Sequence, residues 1–341
     1  MVSRDRAQPS IQDVAKLAGV SLGTVSHVLN HPERVRESTL AKVNRAIDQI
    51  GFVRNDAARQ LKAQRSSALG LVILDSANPF FGELARGVEA SAAKHNFQIL
   101  TGNSAGDQTR ETNYLRMFLE QRLSGVLLSP VSNSQGLISE LRSRGTQVVL
   151  VDNKPDATNC CSASVDDVSG GQMAVNHLIS TGRTKIAFVG GPLTVPQIAD
   201  RLTGARKAVE TTSGTVKLMV WESIAQDVLS GREIGSAILK EPKGERPDAI
   251  FAANDLLAVG LLQAFKLQNQ IAVPEEIAII GYDDIDFAKS AVVPLSSIRQ
   301  PAEQMGSTAL ELLIDEIDDP QNHQHRQVLF EPELVVREST K

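Results

Sequence analysis

The stretch SIQDVAKLAGVS at residues 10–21, followed by TVSHVLN at residues 24–30, decides how the first part of this chain folds. Ser10 and Asp13 have the S-x-x-D form of a capping box, which satisfies free backbone N–H groups where a helix begins. The stretch predicts a short amphipathic helix that ends at Gly19. The apolar residues behind the cap fall at i, i+3 and i+4 and form one stripe: Val14, Leu17 and Ala18.

Two further short helices are predicted, one capped by Ser21 and one that stops at Gly51. Three such helices, with a tight turn between the first two, can bury one small core together. Two interpretations stay open: a helix-turn-helix that enters the DNA major groove, or a helical bundle with no role in nucleic-acid binding. The apolar positions are Val25, Val28 and Leu29 in the second helix and Leu40, Val43, Ile47 and Ile50 in the third. The positions of the second helix that point away from the core are Leu22, Gly23, Ser26 and His27.

The charge is divided unevenly along the chain. The 341 residues carry a formal net charge of −5. Residues 1–66 hold 11 Lys and Arg against 6 Asp and Glu, a net charge of +5, whereas residues 67–341 hold 24 against 34, a net charge of −10. A basic head on an acidic body indicates that only the head contacts a polyanion.

Composition excludes several classes of protein. With 42% hydrophobic residues the chain can bury a core, and no apolar run approaches the roughly 18 to 20 residues that span a bilayer. No signal peptide is expected because no apolar segment follows the basic start, so we expect a cytoplasmic protein with no membrane partner. Cys160 and Cys161 are interpreted as unreactive or partly buried thiols, and His323 and His325 as part of a surface loop rather than a metal site. No catalytic or phosphate-binding motif is present, so we expect no enzyme activity, cofactor or metal.

From Leu69 onward, short β-branched runs alternate with amphipathic helical stretches, which predicts a parallel α/β sheet. This part of the chain has roughly 275 residues, more than one doubly wound domain usually contains, so two sheets are expected. Ligands bind at the carboxyl ends of strands in such folds, which with two lobes is a cleft. The predicted strands are Leu69–Leu74, Gln98–Thr101, Gly125–Ser129, Gln147–Val151, Lys185–Val189, Lys217–Val220, Asp248–Ala252 and Ile277–Gly281. The predicted helices are Phe81–His95, Thr109–Gln121, Gly170–Ser180, Gly231–Leu239 and Leu256–Leu267.

The quoted stretches, together with GFVRNDAARQL at residues 51–61, closely resemble the signature of the LacI/GalR family of bacterial transcription regulators. The resemblance covers nearly the whole chain and implies a helix-turn-helix head, a hinge helix, and a two-lobed core of parallel sheets like a periplasmic binding protein. The implied domains are residues 1–54 for DNA binding, 55–66 for the hinge helix and linker, and 67–341 for effector binding and dimerisation. The first lobe would comprise about 67–165 and 298–325, and the second about 166–297 and 326–341, with the chain crossing near Asp166, Ser297 and residue 325.

The resemblance implies that the helix beginning at Ser21 enters the major groove. Leu22, Gly23 and His27 would lie at base-contacting positions, where Leu22 offers only an apolar contact, for instance to a thymine methyl. In the hinge, Leu61 would wedge between base steps in the minor groove and kink the duplex; the alternative is an ordinary apolar linker residue. The full implied DNA-binding set is Ser21, Leu22, Gly23, Thr24, Ser26, His27, Asn30, Asn55, Ala58 and Leu61.

Residues at predicted strand ends that also match the family are candidates for effector binding. Arg201 matches the arginine that grips the effector, and Asp283 matches the aspartate that accepts hydrogen bonds from effector hydroxyls. An aspartate after a strand is more often a helix cap, and this alternative stays open for each carboxylate. The full candidate set is Phe80, Phe81, Asp152, Asp166, Gln197, Arg201, Asn254 and Asp283.

The sequence therefore predicts an effector-controlled, sequence-specific DNA-binding regulator that represses an operon for the use of a sugar or a nucleoside. A palindromic operator requires two-fold symmetry, so a homodimer is expected, with dimer versus tetramer left open. The alternatives are a regulator corepressed by a nucleobase and one controlled by a phosphoprotein. Val195, Gln197 and Asn153 lie at positions that are charged or aromatic in the purine-binding relative, which weakens the nucleobase alternative.

Overall fold

The computed structural model describes residues 9–52, 66–132, 135–154, 160–267 and 271–341. The chain divides into two compact units, residues 1–65 and residues 66–341. The hinge positions Asn55, Ala58 and Leu61 lie outside the described residues. Within the described residues, no helix is long and apolar enough to cross a membrane.

The head consists of α1 (Ile11–Ala18), α2 (Leu22–Asn30), a 3₁₀ turn (Pro32–Arg34) and α3 (Glu37–Ile50). The predicted capping box is present: the Ser10 backbone N–H donates to Asp13 Oδ2 at 2.8 Å, and the Asp13 N–H donates to Ser10 Oγ at 3.3 Å. Gly19 ends α1 at a φ of 65°, a left-handed conformation that glycine adopts without steric cost.

The buried core of the head differs from the sequence prediction at Leu17. The core is formed by Val14, Ala15, Val25, Val28, Val43 and Ala46. Leu17, which we expected in the buried stripe, is 44% exposed. The stripe of α1 that faces the core runs through Ile11, Val14, Ala15 and Ala18, a spacing of i, i+3, i+4 and i+7 that leaves Leu17 outside it.

The first lobe is built on a six-stranded sheet of order β11-β5-β4-β3-β1-β2 in which all pairs are parallel. Its strands are β1 (Ala68–Ile73), β2 (Gln98–Asn103), β3 (Gly125–Leu128), β4 (Gln147–Val151), β5 (Ser162–Val165) and β11 (Gln327–Phe330). Its helices are α4 (Pro79–Lys94), α5 (Gln108–Glu120), α6 (Gln135–Ser143) and α12 (Ala302–Asp318).

The second lobe is built on a sheet of order β12-β10-β9-β8-β6-β7, parallel except for β12, which pairs with β10 antiparallel at the edge. Its strands are β6 (Lys185–Val189), β7 (Lys217–Trp221), β8 (Ala249–Ala252), β9 (Ala278–Asp283), β10 (Ser296–Arg299) and β12 (Glu333–Val335). Its helices are α7 (Asp167–Ser180), α8 (Pro196–Glu210), α9 (Val228–Lys240), α10 (Asp255–Leu267) and α11 (Asp286–Ser290).

The chain passes between the lobes at three places, and two of them lie later than expected. The first passage is at Asp166, between β5 and α7. The second lies after Arg299 rather than near Ser297, because β10 pairs with β9 through that residue. The prediction of a third crossing near residue 325 is wrong: residues 327–330 pair with β5 in the first sheet, so the chain crosses after Phe330.

Close packing of α7 on α8 fixes the helix that carries Arg201. A Cβ added to Gly171 would lie 2.1 Å from the backbone oxygen of Arg201, and one added to Gly204 would lie 2.0 Å from the backbone oxygen of Val168. Only glycine permits such an approach of two helix backbones. The position of Arg201 relative to the second sheet therefore depends on two glycines.

Candidate functional site

A cavity of about 310 Å³ lies between the two lobes. The carboxyl ends of strands from both sheets meet there, as expected for a two-lobed α/β core. Seven of the eight predicted effector residues line it: Phe80, Phe81, Asp152, Gln197, Arg201, Asn254 and Asp283.

Arg201 is held rigidly on α8 with its side chain in the cavity wall. Its Nε donates to Asp167 Oδ1 at 2.8 Å and its Nη1 donates to the Ala253 carbonyl at 2.7 Å. The guanidinium carbon lies 3.7 Å from the ring centroid of Tyr282, a cation–π contact. Burial opposes the charged form, but the negative charges around it, Asp167 first, hold the pKa of Arg201 above its ordinary value. The site therefore holds a fixed positive charge.

Asp283 ends β9 and faces Arg201 across the cavity wall. Its Oδ2 accepts from Asn78 Nδ2 at 3.0 Å, its Oδ1 accepts from Gln300 Nε2 at 2.8 Å, and Arg201 Nη1 lies 3.8 Å from Oδ1. Burial raises the pKa of this carboxyl, and its hydrogen bonds and Arg201 offset only part of that rise. The backbone of Asp283 has a φ of 101°, a strained conformation of the kind concentrated at ligand sites.

Asp152 directly follows β4 in the first lobe and contacts Gln197 of the second lobe. Gln197 Nε2 donates to the backbone oxygen of Asp152 and lies 3.2 Å from its Oδ2. Burial raises the pKa of Asp152 well above its ordinary value, and the negative charge of Asp167 adds to that rise. Asp152 also has a positive φ, of 57°.

Three buried oxygen atoms at the cavity accept no hydrogen bond from any described residue: Asp152 Oδ1, Gln197 Oε1 and Gln300 Oε1. A buried acceptor without a partner costs about 1–3 kcal/mol. Arg201 Nη2 likewise donates no hydrogen bond within the described residues. The site therefore has one set of free acceptors and one free donor, which a ligand with hydroxyl groups would satisfy together.

The remaining predicted residues in the cavity have mixed roles. Phe80 and Phe81 are buried and contact each other edge to face, with ring centroids 5.0 Å apart. Both polar atoms of the Asn254 side chain are hydrogen-bonded within the protein. Nδ2 donates to the Gln226 carbonyl, and Oδ1 accepts from the Leu257 N–H. Asn254 thus forms part of the cavity wall and directly precedes α10.

Asp166 was expected at the effector site, but it does not line the cavity. It is the N-cap of α7, where Oδ1 accepts from the Ser169 N–H at 3.2 Å and Lys154 Nζ lies at 3.7 Å. Here the helix-cap alternative describes the structure better than the ligand role. The next residue, Asp167, is the one that contacts Arg201.

Asn78 and Gln300 also line the cavity, and neither is among the residues predicted from the sequence. Asn78 also accepts the Phe80 N–H at 3.1 Å as the N-cap of α4. Gln300 lies where the chain passes between the lobes after β10. Asn78 could have been found from its place shortly after the predicted strand Leu69–Leu74, whereas the strand before Gln300 was not predicted.

The surface of α2 leaves the predicted base-contacting residues accessible. Leu22 is 48% exposed, and Gly23 and His27 are exposed beside it. Ser21 is the N-cap, and its Oγ lies 2.8 Å from Thr24 Oγ1. Near the other end, the Asn30 side chain donates to the Ser26 carbonyl at 2.8 Å, and Ser26 itself is half-buried.

Comparison with known proteins agrees with this architecture. Residues 10–55 match the bacterial regulatory proteins of the lacI family, and residues 175–340 match a periplasmic binding protein-like domain. The transcriptional repressor PurR of Photobacterium profundum is 34% identical over 333 residues, covering 97% of this chain and 98% of that protein. The ribose operon repressor of Escherichia coli is 35% identical over 319 residues, covering 93% and 96%.

Among solved structures, a LacI family regulator from Enterococcus faecalis with bound ribose is 30% identical. The match covers 80% of this chain and 98% of that chain, with a TM-score of 0.72. The family consists of regulators rather than enzymes. The chain thus belongs to the LacI family of bacterial regulatory proteins and is a DNA-binding regulator of transcription.

Proposed function

We propose that this regulator is a repressor controlled by a neutral, hydroxyl-rich small molecule, a pentose or a nucleoside, that binds in the cleft between the lobes. The observation that carries the proposal is the set of unpartnered buried acceptors at Asp152, Gln197 and Gln300 around the donor Arg201. Each hydroxyl of a sugar both donates and accepts, so adjacent hydroxyls match this arrangement.

The volume of the cavity and the charges in its lining limit the class of ligand that it can bind. A cavity of about 310 Å³ is at the small end of the range of about 300–1,000 Å³ for ligand pockets, which favours a single sugar ring or a nucleoside. The described cavity lining holds three aspartates, Asp75, Asp152 and Asp283, against Arg201. This excess of acid disfavours phosphate esters and carboxylates, since an anion would meet net repulsion.

The relatives support two ligand chemistries. A ribose operon repressor and a ribose-bound family structure support a pentose. Relatives named PurR support a purine nucleobase as the second candidate. In this chain Val195 and Gln197, both in the cavity lining, offer neither charge nor a ring for stacking, which favours the sugar. Asp152, Gln197, Arg201 and Asp283 are the proposed effector contacts, with Phe80 and Phe81 as the apolar wall.

For DNA binding we propose that α2 enters the major groove of a palindromic operator bound by a homodimer. Leu22, Gly23 and His27 would face the bases, and the phosphate-contacting positions would be Ser21, Thr24, Ser26 and Asn30. Asn55, Ala58 and Leu61 of the hinge, which lie outside the described residues, would contact the minor groove. A regulator of bacterial transcription acts on the chromosome, so we propose a cytoplasmic location.

The experiment that tests this function begins with selection of bound sequences from random duplexes. We expect enrichment of a palindrome, and fluorescence anisotropy with that palindrome should give a stoichiometry of two chains per duplex. Titration with the effector then identifies an inducer if DNA binding weakens and a corepressor if it tightens. Leu61→Ala should weaken binding to the palindrome far more than binding to random DNA. If the affinity for both falls equally, the proposed minor-groove contact of Leu61 is wrong. Binding that responds only to an added phosphoprotein would contradict control by a small molecule.

A further inference from the structure

Four side chains of the kinds that ligate metals converge at the amino-terminal ends of β5 and β11. Cys161 directly precedes β5, Glu316 lies on α12, and His323 and His325 lie in the connection from α12 to β11. One ligand atom from each residue lies within 4.8 Å of every other. The ligand cavity lies at the carboxyl ends of the strands, so this cluster is at the opposite end of the first lobe.

The distances in the cluster fit a tetrahedral metal site. Cys161 Sγ lies 3.1 Å from His323 Nε2 and 3.8 Å from His325 Nδ1. Glu316 Oε2 lies 4.0 Å from His325 Nδ1. Bonds of about 2.0–2.3 Å to a tetrahedral zinc ion place its ligand atoms about 3.3–3.8 Å apart. These three pairs lie within about 0.2 Å of that range and the other pairs within 4.8 Å, so shifts of up to about one ångström would bring the four atoms to such a geometry.

A second observation points into the same space. Glu316 is only 3% exposed, and although its Oε1 accepts from Arg142 Nη2 at 2.9 Å, its Oε2 accepts no hydrogen bond from any described residue. Cys161 is fully buried, and its Sγ accepts the backbone N–H of Arg326 at 3.2 Å. A backbone N–H directed at sulfur is the kind of outer contact that supports a metal-bound thiolate.

The guanidinium of Arg142 borders the cluster. Arg142 Nη1 lies 3.4 Å from His325 Nε2, while Nη2 donates to Glu316 and to the Val148 carbonyl at 3.0 Å. A metal bound to Nδ1 of His325 leaves the proton on Nε2, so Nε2 could no longer accept from Arg142 Nη1 and the two groups would have to move apart. His325 is 25% exposed, which gives its ring room to turn.

We infer that Cys161, Glu316, His323 and His325 bind a divalent transition metal of the zinc class. One thiolate, two imidazoles and one carboxylate form a donor set that zinc and cobalt(II) both accept, and four protein ligands make a closed, structural site. The metal would tie the connection between α12 and β11 to the edge of the first sheet. This inference is independent of the ligand proposed for the cleft.

The test uses the full chain, freed of any affinity tag and of bound metal, and titrated with zinc in competition with a chromophoric chelator. We expect one equivalent of zinc per chain. Cobalt(II) should give the intense visible bands of a tetrahedral site and a thiolate-to-cobalt charge-transfer band in the near ultraviolet. Cys161→Ser should remove the charge-transfer band and weaken zinc binding by more than the roughly 10–100-fold that outer contacts contribute.

A matched control is the adjacent thiol, since Cys160 Sγ instead faces the Val148 carbonyl. Cys160→Ser should therefore keep the cobalt spectrum and the zinc affinity of the unmodified chain. His323 is half-buried, so His323→Gln provides a second ligand variant that tolerates substitution better than buried Cys161. The inference is overturned if both ligand variants bind zinc as tightly as the unmodified chain, or if bound cobalt shows no thiolate band.

Discussion

Asn78 of the first lobe donates a hydrogen bond of 3.0 Å from Nδ2 to Oδ2 of Asp283 in the second lobe, and both side chains line the ligand cavity. Gln197 and Asp152 form a second contact between the lobes, with the donor on the second lobe. The groups that hold the lobes together are thus among the groups that a ligand would contact. Ligand binding and the relative orientation of the lobes are therefore coupled through the same side chains.

The first prediction concerns the donor of that hydrogen bond. Asn78→Ser keeps a side chain that can cap α4 but removes the amide that reaches Asp283. Loss of one such hydrogen bond should cost about 1 kcal/mol, or roughly fivefold in effector affinity. Small-angle scattering without effector should show a larger radius of gyration. Asn103→Ser is the control, because Asn103 bonds Ser76 within the first lobe. An unchanged radius and affinity for Asn78→Ser would contradict the coupling.

The second prediction concerns the geometry of the fixed cation. Arg201→Lys keeps the charge but loses the planar contact with Tyr282 and the fork of donors to Asp167 and Ala253. A charged hydrogen bond contributes about 1.5–3 kcal/mol, so we expect effector affinity to fall at least tenfold while operator binding persists. Calorimetry measures the effector affinity, and fluorescence anisotropy measures operator binding.

Arg183→Lys is the matched control for Arg201. Arg183 donates to the carbonyls of Asp248 and Pro274 away from the cavity, so its replacement should leave effector affinity unchanged. If Arg201→Lys and Arg183→Lys bind the effector equally well, Arg201 is not an effector contact.

The third prediction follows from the raised pKa of Asp152. Since the pKa in the folded state exceeds the ordinary value of 3.8, the folded state binds more protons than the unfolded state above that pH. The free energy of unfolding therefore decreases as pH rises from about 4 toward the raised pKa. Asp152→Asn removes this loss, and asparagine tolerates the φ of 57°. We expect Asp152→Asn to melt at a higher temperature than the unmodified chain near pH 7, and the difference in melting temperature to disappear near pH 4. The variant should also bind the effector more weakly.

Asp166 is expected to affect the pH dependence of stability in the opposite direction from Asp152, because its pKa is lowered. Its hydrogen bonds with Ser169 and the charge of Lys154 outweigh burial and lower the pKa of Asp166, so its contribution to stability is present above 3.8 and is lost as pH falls. We expect Asp166→Asn to give no stabilisation near pH 7. A melting temperature for Asp152→Asn at or below that of the unmodified chain near pH 7 would show that the buried charge is not destabilising.

The fourth prediction concerns the contact between α7 and α8. A methyl group at Gly171 would lie 2.1 Å from the Arg201 carbonyl, so Gly171→Ala must push the two helices apart. Overpacking of this kind costs about 1–3 kcal/mol and should also weaken effector binding, because Arg201 moves with its helix. Urea unfolding measures the stability, and calorimetry measures the effector affinity. Gly82→Ala, in α4 with open space around it, should leave effector binding unchanged and raise stability by about 0.5–1 kcal/mol, because alanine is the better helix former. Equal stability of both variants would contradict the close approach.

The sequence predicted the apolar strands well and the polar ones poorly. Runs such as Gln147–Val151 and Lys185–Val189 are apolar and β-branched, and the structure places strands at those bounds. Ser162–Val165 and Ser296–Arg299 were missed because their serines lack the β-strand signal; their strand conformation depends on pairing with neighbours in the folded sheets. The helix at Pro196–Glu210 was also not predicted, although its residue Arg201 was.

Residues at the site were predictable where a strand end and a charged residue coincide. Asp152 and Asp283 satisfy both conditions, whereas Gln300 is a neutral residue at a passage between lobes and gave no such signal. The sequence analysis interpreted His323 and His325 as a surface loop rather than a metal site, because Cys161, the thiol of the proposed site, is 162 residues from His323 in the chain. Only the pairing of β5 with β11 brings them together.

The measurement that tests the central claim most directly is isothermal titration calorimetry of the full chain with neutral pentoses, nucleosides and purine bases, each sugar matched with its phosphate ester. We expect one neutral pentose or nucleoside to bind, its phosphate ester to bind far more weakly because of the excess acid in the cavity, and Arg201→Lys to weaken the binding. Tight binding of a phosphate ester or a purine base, with none by any neutral sugar or nucleoside, would contradict the account.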